Sequence, residues 1–425
     1  MQFKKKILKN GMRIITVPMK DNPTVTVLVL VETGSKYETK KLNGISHFLE
    51  HMCFKGTVKR PTAMAISREL DSLGCQYNAF TSQEYTGYYA KSEKKHFKKI
   101  LDVVSDIYLH STFPEAEMEK EKGVIIEEIN MYEDMPQSHV QELFLSLLYG
   151  DQPAGWSIAG PRENIRKMKR DDFVEYKKMH YVAKATTVVV SGAITEKEAV
   201  KEVEKYFAPI RVSSKGGKLR VKDTQSNPQV FVQYKKTDQA HFVLGVRAYD
   251  ILNKKNPILN VLSTILAGGM SSRLFQKLRE EMGVAYYVRS MNDAYTDHGF
   301  LEISAGVDVK RVPEVVKEIL AECTRLIKEP VLEDELKKVK DYMIGNLHLE
   351  LESSDSLANF TGGQEILKKK IETPLEIAKK IRSVTAPEIM RLAKEIFTNR
   401  YLNFALIGPF KDQKAFKSIL SFSNK

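Results

Sequence analysis

The sequence predicts an α+β protein in which one structural unit is used twice. Strand-like and helix-like stretches follow the same order in both halves of the 425-residue chain. The halves meet at a polar stretch, residues 211–228 (RVSSKGGKLRVKDTQSNP), rich in Gly, Ser and Lys as a linker is. Short segments also match across the halves. RELDSLGCQYNAF is similar to QKLREEMGVAYYV, and KILDVVSDIYLHSTFPEAEME to EVVKEILAECTRLIKEPVLEDEL. Repeated order plus repeated sequence marks duplication. The expected division is residues 1–212, a linker at 213–228, and residues 229–425.

The elements follow from periodicity. Residues 12–17 and 24–32 read as strands, and the second (TVTVLVLVE) is apolar throughout, as a strand buried on both faces requires. A helix over 43–54 has Ile45, Phe48, Leu49 and Met52 as its apolar stripe and Gly56 as a stop. A helix near 63–73 and two strands within 76–90, joined near Gln83, come next. Helices at 95–109, 115–135, 140–149 and 171–181, a strand at 186–191 and a helix at 197–207 complete the first half. The second half repeats the plan. Strands at 229–234 and 241–248 precede helices at 256–267 and 271–282. Strands at 285–292 and 299–307 precede helices at 312–328 and 332–352, three shorter helices, a strand at 402–408 and a final helix.

Composition excludes several classes. Hydrophobic residues at 42% and charged residues at 28% describe an ordinary globular chain, and no run of 18 apolar residues exists to span a membrane. The basic N-terminus runs straight into a strand, so neither a signal peptide nor a transit peptide is expected. Three cysteines (Cys53, Cys75 and Cys323), none in CxxC spacing, are too few for a disulfide framework. A reducing, cytoplasmic setting is the expectation. The net charge of +12 raises nucleic acid as a partner. Lys and Arg are, however, interleaved with Asp and Glu throughout, as on a solvated surface, and no nucleic-acid or membrane partner is expected.

The chemistry concentrates in His47-Phe-Leu-Glu-His51. On a helix, residues i and i+4 share a face and i+3 sits beside them. His47 and His51 can therefore grip one metal ion, and two imidazoles suit zinc. Glu50 beside a zinc-bound water has the position of a general base. Two exposed histidines on a surface helix would show the same spacing. A catalytic zinc has three protein ligands, and helix 115–135 offers Glu115, Glu117, Glu119, Glu121, Glu127, Glu128 and Glu133. Glu121 and Glu128, seven apart, share a face, and Glu128 follows the apolar run Val124 to Ile126, where a carboxylate needs a partner. Spacing alone does not choose among them. Cys53, two residues past His51, lies on a different helix face.

HxxEH is the inverted zinc motif, and the run GISHFLEHMCFKGT (44–57) resembles the pitrilysin family, which includes insulin-degrading enzyme and the mitochondrial processing peptidase. LKNGMRIITVP, ETGSKYE, NAFTSQEYTGYY, EKGVIIEEINMYEDMP, KTDQAHFVLGVRA and GGMSSRLFQKLREEMGVAYYV resemble family segments in family order. The length is similar to that of the short bacterial, processing-peptidase-like branch. The resemblance implies two homologous α/β-sandwich domains, each a mostly antiparallel sheet packed against helices. It implies one Zn2+ per chain held by His47, His51 and Glu128. Glu50 would be the base, and Glu121 would support a ligating histidine. Asn78, Ala79 and Phe80 match the edge strand on which the family lays an extended substrate. Arg279 and Tyr286 match a pair that reaches the substrate near the scissile bond. Gln152 and Ala154 stand where many relatives have a histidine and a leucine.

The implied activity is a zinc metalloendopeptidase that cleaves unfolded peptides or presequence-like segments. With two domains per chain, the resemblance implies a homodimer enclosing a chamber, with Arg279 and Tyr286 acting across the interface. The alternative is a non-catalytic peptide-binding subunit of the same fold, against which the intact His47, Glu50, His51 and Glu128 argue.

Overall fold

A computed structural model describes residues 2–422. Among these residues the strands form two sheets, each the centre of a compact unit. The first comprises β1 (Lys4–Ile7), β2 (Arg13–Pro18), β3 (Thr24–Val31), β4 (Gln76–Thr81), β5 (Thr86–Glu93) and β6 (Thr186–Gly192), in the order β1-β2-β6-β3-β5-β4. The second comprises β7 (Gln229–Tyr234), β8 (Gln239–Ala248), β9 (Ala285–Ala294), β10 (Gly299–Asp308) and β11 (Leu402–Gly408), in the order β7-β11-β8-β10-β9. Apart from β1, the two orders superimpose strand for strand. In each sheet one neighbouring pair is parallel, β2 with β6 and β7 with β11, and the others are antiparallel. The chain is thus α+β, with one topology used twice.

β3 is buried along nearly its whole length. Val25, Val27, Val29 and Val31 face the helices Ile45–Cys53 and Phe97–His110. Leu28 and Leu30 face Leu357, Ala358 and Ile366 of the helix Ser354–Lys368. That covering helix comes from the second half of the sequence. The second unit has the reverse arrangement: Val140, Phe144 and Leu148 of the helix Pro136–Tyr149 cover Val243, Phe300, Ala405 and Ile407. The division at 1–212 and 229–425 therefore does not follow the compact units. One unit holds residues 1–130, 156–219 and 348–373, and the other holds 131–155, 220–347 and 374–425. The physical reason is that an apolar sheet face must be covered by something, and a longer connecting loop adds little to the entropy of closing it. The polar stretch 213–228 has no regular secondary structure, and one of the crossings between the units, after Leu219, falls within it.

Three elements differ from the periodicity reading. β1 was not expected, because all four of its residues are exposed and lysines dominate it, as on a protected sheet edge. The short helix Arg162–Lys167 was also not expected. The helix expected at 271–282 runs as Arg273–Phe275 and then as a wider π segment, Gln276–Glu281, in which Met282 N–H reaches back five residues to the Lys277 carbonyl at 3.1 Å. No helix among the described residues is long and apolar enough to cross a membrane.

Candidate metal centre

The motif helix, Ile45–Cys53, is set in place at its N-terminus. Gly44 adopts φ +101°, and a Cβ there would lie 2.6 Å from the Ala159 carbonyl oxygen, so no other residue fits without displacement. The Glu38 carboxylate accepts from the Gly44 and Ser46 amides at 2.8 Å each, and from Asn43 Nδ2 at 2.8 Å. A carboxylate at a helix N-terminus satisfies donors that the helix cannot. Burial still pushes its carboxyl up to about 7. Ile45, Phe48, Leu49 and Met52 are fully buried in the core. The opposite face of the helix presents His47, Glu50 and His51.

These residues meet the helix Glu115–Asp134, and His47, His51 and Glu128 form a group whose donor atoms all lie within 4.8 Å of one another. His47 Nε2 and His51 Nε2 are 3.2 Å apart, and Glu128 Oε2 is 3.6 Å from the first and 3.5 Å from the second. Two ligands bound at zinc's usual ~2.0–2.1 Å in a tetrahedron stand about 3.3 Å apart. Donor type and donor spacing therefore both fit zinc. Burial, and then the neighbouring His51, push His47 down to about 3, which leaves a neutral imidazole with a free lone pair. Burial would lower His51 too, but its hydrogen bond to Glu121 and the surrounding carboxylates outweigh burial and raise it. The glutamate of this helix that completes the group is Glu128. Glu127 is turned to Asn130, and Glu117 and Glu119 to nearby lysines. Cys53 lies in the core against Tyr88 and Ser111, outside the group.

Around this group the structure places the other expected residues as follows. Glu121 Oε1 lies 2.9 Å from His51 Nδ1. Glu50 accepts from Thr81 Oγ1 at 2.7 Å, and burial raises its carboxyl above the usual range. Asn78, Ala79 and Phe80 lie on β4, the edge of the first sheet beside the motif helix. Ala79 packs on the core beneath the motif helix, Asn78 Oδ1 accepts from the Ala79 amide at 2.9 Å, and the Phe80 ring lies over Gly87. Arg279 and Tyr286 belong to the other unit and adjoin each other there. Arg279 Nη1 donates to the Tyr286 carbonyl at 2.7 Å, and the Tyr286 side chain is exposed. Gln152 clasps the linker backbone: its Nε2 donates to Lys222 O at 3.0 Å and its Oε1 accepts from Lys222 N at 2.9 Å.

Two residues that touch this site escape a reading of the sequence. Thr81 lies two residues past Ala79, so strand alternation puts both side chains on the face that meets the motif helix. Lys55, four residues past His51, reaches Glu121. Lys55 lies in the bend just past the motif helix, where no helical repeat marks it.

Fold and donor set together define a duplicated α+β protein with an HxxEH-type candidate metal site in its first unit. Family models described as Insulinase (Peptidase family M16) and Peptidase M16 inactive domain match residues 13–162 and 167–343. An uncharacterized zinc protease of Bacillus subtilis, YmxG, is 37% identical over 410 residues, covering 96% of this chain and 98% of the relative. An uncharacterized zinc protease of Rickettsia felis is 34% identical over 403 residues, covering 95% and 96%. Among solved structures, a protease from Helicobacter pylori shares the fold with a TM-score of 0.90 at 22% identity, covering 96% of this chain and 99% of that one. A chain of complex III from Candida albicans shares it with a TM-score of 0.83 at 17% identity, covering 98% and 99%. The chain belongs to peptidase family M16, the insulinase or pitrilysin family.

Proposed function

We propose that this protein is a zinc-dependent endopeptidase acting on unfolded peptides. The observation that carries the proposal is the triangle of His47, His51 and Glu128 donors with the Glu50 carboxylate on the same helix face. A zinc ion held by that triangle supplies Lewis acidity for attack on a peptide carbonyl. Glu50 takes a proton from the attacking water and returns it to the leaving amine. Thr81 holds one Glu50 oxygen and leaves the other for that exchange. The open side of β4 receives the peptide as an added strand, which demands an extended chain and little particular sequence.

Arg279 and Tyr286, coupled by their hydrogen bond, present the peptide. The resemblance supports a homodimer around a chamber in which each copy supplies this pair to the other's metal site. Mixing Glu50→Gln with Tyr286→Phe protein restores part of the activity in that arrangement, because a mixed dimer keeps one intact site. A monomer in solution overturns the dimer.

The test of the main proposal is a mixed peptide library analysed by mass spectrometry. Internal cleavage that stops with a chelator and returns with zinc is the expected result. A zinc-loaded protein that leaves every peptide intact overturns it.

A further inference from the structure

We infer that Lys55 is a positioning residue for the metal centre, acting on His51 through Glu121. The inference rests on the zinc site proposed above. Glu121 divides its two carboxylate oxygens: Oε1 lies 2.9 Å from His51 Nδ1, and Oε2 lies 2.6 Å from Lys55 Nζ. The Glu121 side chain is only 6% exposed and that of Lys55 23%, so water competes little for the carboxylate. A carboxylate anchored at one oxygen cannot rotate freely about its last bond. Its other oxygen stays aimed at Nδ1, which keeps the proton on that nitrogen and the lone pair on Nε2, the atom facing His47 and Glu128.

The two histidines are therefore held differently. His47 Nδ1 is buried without a hydrogen-bond partner, so no comparable chain orients that ring. Orientation by hydrogen bonding falls on His51 alone, and Lys55 is the outer end of the chain that supplies it. The second unit supports the pairing. Counting from the first residue of each long helix, Glu115 and Glu333, the position of Glu121 is taken by the buried Val339. On the helix Asn256–Ala267, aligned to the motif helix by its hydrogen bond to the edge strand, the position of Lys55 is taken by Gly268. Where the metal donors are missing, both members of the pair are missing.

The test measures the affinity of the full-length protein for Zn2+ alone, by competition with a chromophoric chelator. Lys55→Met keeps the aliphatic stem and removes the ammonium. It is expected to weaken zinc binding about tenfold, at the lower end of the ~10- to 100-fold that loss of an outer partner costs. Glu121→Gln is expected to weaken it more. The double variant should be no weaker than Glu121→Gln alone, because Lys55 acts only through that carboxylate. Lys55→Arg, which can still reach Glu121, should restore most of the affinity, and metal-free melting temperatures should match the wild type. A Lys55→Met protein that binds zinc within twofold of the wild type overturns the inference, as does an additive loss in the double variant. A wild type that binds no zinc overturns the metal site proposed above and this inference with it.

Discussion

The two units set the same backbone to different uses, position by position. Gly74 and Gly283 both turn the chain at φ +63°, and seven residues later Thr81 and Ser290 stand on the edge strands β4 and β9. Thr81 Oγ1 bonds to Glu50 of the facing helix at 2.7 Å, and Ser290 Oγ to Ser263 at 2.9 Å. Aligned on that bond, His47, Glu50 and His51 meet Asn260, Ser263 and Thr264. Counted along the later helices, Glu121 and Glu128 meet Val339 and Asn346. The second unit keeps the glycine turn and the hydroxyl contact but has no imidazole or carboxylate at these five positions. The fold therefore supplies the frame for a metal centre, and the side chains on one helix face and its partner decide whether there is one.

The sharpest way to break this comparison is to change the matching residues Glu50 and Ser263. Glu50→Gln keeps the size of the side chain and its contact with Thr81 but removes the base. We expect kcat on an unfolded peptide to fall about 10²- to 10⁴-fold, the usual contribution of such a group, with zinc content unchanged. Ser263→Ala should leave kcat within about twofold. Stopped or discontinuous peptide assays on zinc-loaded protein check both. Equal losses in the two variants would mean that the hydroxyl contact, common to both units, matters more than the carboxylate unique to one.

A second difference concerns buried acids. In the first unit Glu121 is held below the usual carboxylate range: burial would raise it, but His51 and Lys55 outweigh burial. In the second unit Glu302, on β10, has no such cation. Burial, and then the nearby Asp293, push it up to about 8, against a hydrogen bond from Gln141. Folded protein then keeps a proton on Glu302 between about pH 4.5 and 8, where the unfolded chain has released it. Stability from this group is complete below about pH 4.5 and is lost as pH rises through about 8. Glu302→Gln mimics the protonated form at every pH. It should match the wild type near pH 5 and exceed it by on the order of 3 kcal/mol near pH 8. Urea melts of both proteins across that range test this, and a variant less stable than the wild type at pH 8 would count against it.

How much of this was legible beforehand depends on where each constraint resides. His47, Glu50 and His51 stand out because metal chemistry constrains five adjacent residues. Glu128 and Glu121 were two of seven glutamates on one helix, and the family resemblance, not the spacing, separated them. Thr81 and Lys55 do not stand out in the sequence, since a hydroxyl or an ammonium gains meaning only from what packs opposite. The buried character of β3 was plain in TVTVLVLV, but nothing local identified its cover. The helix Ser354–Lys368 presents Leu357, Ala358 and Ile366 to that sheet, but Thr361, Gly362, Gln364 and Glu365 are buried with them, so no clean apolar stripe marks the contact. β1 was invisible because it buries none of its residues.

That covering helix yields the smallest and most discriminating prediction, because each unit seats its borrowed helix with a glycine on the opposite partner. In the second unit the glycine is on the strand. A Cβ on Gly245 would lie 2.6 Å from the Leu301 carbonyl oxygen and 2.6 Å from Cζ of Phe144, which the helix Pro136–Tyr149 drives onto the sheet. In the first unit the glycine is on the helix. A Cβ on Gly362 would lie 2.7 Å from Leu30 Cδ1 and 3.1 Å from Val189 Cγ2. The backbone oxygen beside Gly245 cannot give way, whereas both close atoms beside Gly362 belong to side chains, of which the nearer, Leu30, can shift more readily than the β-branched Val189. Helix propensity also favours Ala over Gly by about 1 kcal/mol, which offsets part of the crowding at Gly362. Gly245→Ala should therefore destabilise by about 2–3 kcal/mol and Gly362→Ala by about 1 kcal/mol or less. Adding Phe144→Leu to Gly245→Ala should recover part of the loss by relieving the ring contact, while the carbonyl contact remains. Thermal melts rank the three. If Gly362→Ala proved the more damaging, the helix of the first unit would be seated more rigidly than its side-chain contacts imply.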